Sequence, residues 1–63
     1  MERVEQIREK VEALVNEAIE LLEANYDMEN AKINNPAYMA MMDLNSALME
    51  LDCLDDEYLK TEV

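Results

Sequence analysis

The chain has no glycine in 63 residues. Tight turns that need a left-handed residue, and the sheets built from short hairpins, are thereby disfavoured. A helical periodicity fills the space they leave. Val4, Ile7, Val11, Leu14, Ala18 and Leu21 alternate three and four apart, the a/d pattern of a heptad. Val15 and Leu22 widen this stripe at the e position, and Ile19 and Tyr26 extend it near its end. The remaining positions are mostly polar or charged, so the pattern predicts one amphipathic helix over about residues 2–29.

Periodicity fails across residues 30–35, and Asn35 followed by Pro36 is a helix start. An asparagine side chain there can accept from a free backbone N–H, and proline at the first helical position gives up a donor that has no partner. A second helix is predicted over about residues 36–60, with Ala37, Ala40, Met41, Leu44, Ala47, Leu48, Leu51, Leu54 and Tyr58 on its core face. Two helices of roughly 40 Å joined by a short connection make an all-α antiparallel hairpin. A turn centred on residues 32–34 sets side by side residues whose numbers sum to about 66. Arg3, Arg8 and Lys10 are then expected beside Asp55, Asp56, Glu57 and Glu62. Those acids crowd a helix C-terminus, where each is disfavoured by roughly 0.3–1 kcal/mol, and the opposing bases offset much of this.

The second helix carries another stripe. Met39, Met42, Ser46, Met49 and Cys53 are spaced three, four, three and four apart, opposite Leu44, Leu48 and Leu51. A helix apolar on two opposite sides is normally covered on both. The simplest cover is a second copy, giving a homodimer in which two hairpins form a four-helix bundle with their second helices at its centre. A groove held open for a different protein is the alternative.

Chain length points to the same need. A single domain this small buries little surface and usually relies on disulfides, a metal or oligomerisation. Cys53 is the only cysteine and there is no histidine, which removes an internal disulfide and the commonest zinc ligand and general base. High charge with few aromatics is a mark of disorder, but half the residues are apolar and regularly spaced, which favours order. No apolar run is long enough for a membrane span. The charged N-terminal residues do not read as a signal peptide, and one free cysteine suits a reducing, cytoplasmic setting.

Chemistry finds few parts. Four-helix carboxylate metal sites use inward Glu-x-x-His pairs, and calcium loops of the EF-hand kind need a central glycine; both are missing, although Asp52, Asp55, Asp56 and Glu57 have oxygen to offer. Met39, Met42, Met49 and Cys53 have the atoms of a soft-metal site, but packing is the commoner use of such a stripe. Acids around Cys53 weaken its thiol as a nucleophile, and Ser46 has no partner base. No enzyme and no cofactor are expected.

Protein binding is what remains. Sixteen acids against five bases give a net charge of −11, which opposes nucleic acid and anionic lipid and favours a basic protein partner. Glu12, Glu17, Glu20, Glu23, Asp27 and Glu29, with Asp43, Glu50 and Asp52, are the carboxylates left unpaired along the middle and loop end. Such rows can imitate a phosphate backbone. Small acidic phage proteins that block restriction, CRISPR or polymerase components resemble this chain in size, charge and helical make-up, although no motif carries the resemblance further. RNA-binding bundles of similar size need basic faces, which this one lacks. The expected function is a regulator or inhibitor that mimics nucleic acid. The alternative is an oligomerisation or partner-helix module acting through the methionine stripe, with acidity serving only solubility.

Overall fold

A computed structural model describes residues 2–60 of the chain. Two helices, α1 (Glu2–Asn25) and α2 (Pro36–Leu51), pack against each other as an antiparallel hairpin, with no strand among the described residues. The molecule is a rod of 46 × 18 × 18 Å.

The start of α2 is as its sequence demands. Asn35 is extended at φ −70° and ψ 136°, and its side-chain oxygen accepts from the Ala37 backbone N–H at 2.8 Å. Extended geometry is what a following proline enforces. Pro36 then occupies the first turn.

Both helices stop earlier than their periodicity suggests. At the end of α1, Asn25 turns its amide onto the Leu21 carbonyl at 2.8 Å. Asp27 then gathers a separate turn, accepting from Asn30 through its backbone N–H at 3.2 Å and through its side-chain amide at 2.8 Å. Asp and Asn offer the backbone such local alternatives to a helix, and here the alternative wins over residues 26–29. Helix α2 ends at Leu51 instead of near residue 60. Its last N–H groups bond three residues back, Cys53 to Glu50 and Leu54 to Leu51, the tightening that closes a helix. Beyond it Asp55 accepts from the Glu57 N–H at 2.9 Å, and Tyr58 takes a left-handed φ of 65°.

Earlier helix ends move the register. The connection is centred near residue 30, not 33, so facing residues sum to about 62. Arg8 donates to the Leu54 carbonyl at 3.4 Å and Arg3 to the carbonyl of Lys60. The expected ion pairs with Asp55, Asp56 and Glu57 are thus replaced by arginine–carbonyl bonds that strap residues 54–60 over the start of α1; Glu62 lies outside the described residues. With these arginines bonded to backbone carbonyls, the acids of the last stretch remain crowded at a helix C-terminus, where the macrodipole disfavours them.

The shared core is thin. Among the described residues only Val4, at 2% exposure, and Ala37, at 8%, are buried. Val11, Val15, Ala18 and Leu22 of α1, with Met41, Leu44, Leu48 and Leu51 of α2, are half-buried. Leu14 and Leu21, expected in the core, are instead 65% and 60% exposed. The a/d/e stripe of α1 is wider than one neighbouring helix can cover. Its a and e positions take the contact, and the d positions Leu14 and Leu21 stand at its edge. Tyr26, Leu54 and Tyr58 are exposed as well, all lying past a helix end.

Candidate protein-binding surfaces

The structure presents three surfaces. The first is the methionine stripe. Met39, Met42 and Ser46 are exposed along α2 and Met49 is 73% exposed, while Ala37, Leu44 and Leu48 turn the other way into the hairpin. Cys53 is also exposed and free, but it sits just beyond the helix, in the closing turn. Four of the five residues therefore share one helical face, and the fifth continues it only approximately.

The second surface is acidic. Glu17, Glu20, Glu23, Asp27, Glu29, Asp43, Glu50 and Asp52 are all exposed, and Glu12 is half-buried. Between Lys10 and Lys60 the sequence holds one base, Lys32. Two of the five bases, Arg3 and Arg8, are committed to carbonyls at the far end of the rod. Asp27 differs from the other carboxylates in having its oxygens engaged by Asn30, first through the side-chain amide and then through the backbone N–H. These bonds hold its carboxyl below its ordinary value of 3.8. It is charged, but part of its hydrogen-bonding capacity is spent within the turn.

The third surface was not legible as such in the periodicity. Leu14 and Leu21 form an exposed apolar edge on α1. Their heptad positions mark them as core residues, and that very signal hides them when only one partner helix is considered.

Two further features were missed by sequence reasoning. A shallow cleft at the open end is lined by Val4, Ile7, Leu54, Tyr58 and Leu59, with Asp55 and Glu57 also lining it. Next to this strapped segment, Arg8 keeps its Nε buried with no hydrogen-bond partner. Nothing in the local sequence signals a chain that leaves its helix and folds back.

The acids near the end of α2 are not gathered into a site: among the described residues no group of three or more His, Cys, Asp or Glu is placed to hold a metal ion. No helix among them is long and apolar enough to cross a membrane. Comparisons with protein-family models, curated proteins and solved structures found no match.

Proposed function

We propose that this chain is a non-enzymatic, cytoplasmic binding protein that regulates or inhibits a basic nucleic-acid-binding protein by presenting carboxylates where that partner expects phosphates. The supporting observation is the distribution of charge. Exposed acids run the length of the rod, and Arg3 and Arg8 are spent on backbone carbonyls at one end. Glu17, Glu20, Glu23 and Asp27 follow one another at three and four residues, roughly 5 Å apart along the axis, against about 3.4 Å per phosphate of a DNA strand. A rod of 46 Å spans roughly 13 base-pair steps of duplex.

A mimic of this kind binds through charge, so its complex weakens steeply with salt and competes with DNA or RNA. The test is affinity capture from source-cell lysate with stepwise salt elution and nucleic acid competitor, run beside a variant carrying Glu17→Gln, Glu20→Gln, Glu23→Gln and Asp27→Asn. The expected result is a basic partner released by salt and by competitor, and lost with the neutralised variant. A partner indifferent to all three removes mimicry.

A second reading has its own observation. The exposed methionines of α2 form a flexible apolar face suited to an amphipathic helix of another protein. Such a partner holds at high salt and is lost with Met42→Glu.

A further inference from the structure

We infer that a second copy of this chain packs on the hairpin face bearing Leu14 and Leu21, leaving the methionine stripe free. Self-association through the stripe is the arrangement the sequence pattern alone suggests. The hairpin register adds a competing face with a better claim.

Leu14 and Leu21 occupy one flank of α1, at about 100° per residue. In an antiparallel hairpin the flank of α2 on that same side carries Ala40 and Ala47. With facing residues summing to about 62, Leu14 stands level with Ala47 and Leu21 with Ala40. Ala18 stands level with Leu44 between them. Large and small residues thus alternate across the face, layer by layer. A two-fold axis brings two leucines and two alanines into each of the outer layers, which is how bundle layers interdigitate without voids.

This face is favoured over the stripe by burial. It is two helices wide and continuous with the thin core, so a copy seated here also completes burial of the half-exposed Ala18 and Leu44. A copy on the stripe leaves that core as it is. One long side of a 46 × 18 Å rod measures roughly 800 Å², enough for the share each partner contributes to a standard interface, and this holds for either face.

Sedimentation of the whole chain tests this. The wild type is expected at twice its 7.3 kDa mass, with association tightening as salt screens the mutual repulsion of two chains of charge −11. Leu14→Glu with Leu21→Glu should weaken the dimer by about a hundredfold or more, because charges enter a desolvated apolar layer. Met42→Glu with Met49→Glu should leave it within about threefold, since those side chains stay in water. Should the leucine variant fail to fold, peroxide oxidation of the wild type decides instead. Met39, Met42 and Met49 should oxidise equally fast in dilute monomer and concentrated dimer. Protection of these methionines on dimerisation, loss of the dimer in the methionine variant alone, a dimer dispersed by salt, or a folded wild-type monomer at high concentration each overturns the inference.

Discussion

Asn35 accepts a hydrogen bond from the backbone N–H of Ala37 at 2.8 Å, and that one contact sets where α2 begins. Removing it with Asn35→Ala should cost about 1 kcal/mol. For a domain of this size that lowers the melting temperature by about 4–8 °C. Asn35→Asp keeps an acceptor and should recover most of the loss. Thermal circular dichroism of the two variants checks the pair.

Arg8 reaches from α1 to the Leu54 carbonyl at 3.4 Å and helps to hold the segment after α2. Arg8→Met keeps the aliphatic stem and deletes the donor. Amide exchange over residues 54–60 should quicken by about fivefold, the equivalent of roughly 1 kcal/mol of local opening. Exchange inside α2 should hardly change. Uniform acceleration along the chain would mean that Arg8 supports the whole hairpin.

Asp27 gives the pH dependence of the connection. Its folded carboxyl ionises below 3.8 because Asn30 bonds to the charged form. A lowered folded value means the contribution is present above the ordinary value and is lost as pH falls through the lowered one. Carboxyl NMR titration should therefore find Asp27 below 3.8. With Asn30→Ala the midpoint should return upward, as the first-ranked cause is the Asn30 side chain.

The early end of α2 is attributed to acids facing a helix C-terminus. Asp55→Lys with Asp56→Lys reverses both charges and removes the turn in which Asp55 holds the Glu57 N–H. Helicity at 222 nm should rise by about one turn, roughly four residues. An unchanged signal would assign the stop to the arginine strap.

Much of the hairpin could be read from spacing alone. Residues three and four apart report which side of a helix is apolar, and Asn35 with Pro36 reports a start through covalent and hydrogen-bonding rules that act locally. The outward turn of Met39, Met42 and Met49, and the inward turn of Met41 and Leu44, followed from the same arithmetic. Helix ends were less legible, because Asp27 and Asp55 each choose between continuing a helix and closing a turn on a neighbour. That choice depends on what stands opposite, and what stands opposite depends on where the helices end. The error in register grew from this circularity. Leu14 and Leu21 show the other limit: a heptad position says that a side chain wants cover, and is silent on which neighbour supplies it.

Residues 11–51 hold eight acids and one base, Lys32, for a net −7, and the rest of the chain holds the other eight acids with four bases, for a net −4. Negative charge is therefore spread almost evenly, at roughly one per six residues at either end of the rod. The two helices run in opposite directions, so their backbone dipoles largely cancel and the side chains alone set the field. A positively charged surface pulls on the whole length of such a rod at once. It turns the rod broadside, long axis along the surface, before any contact forms.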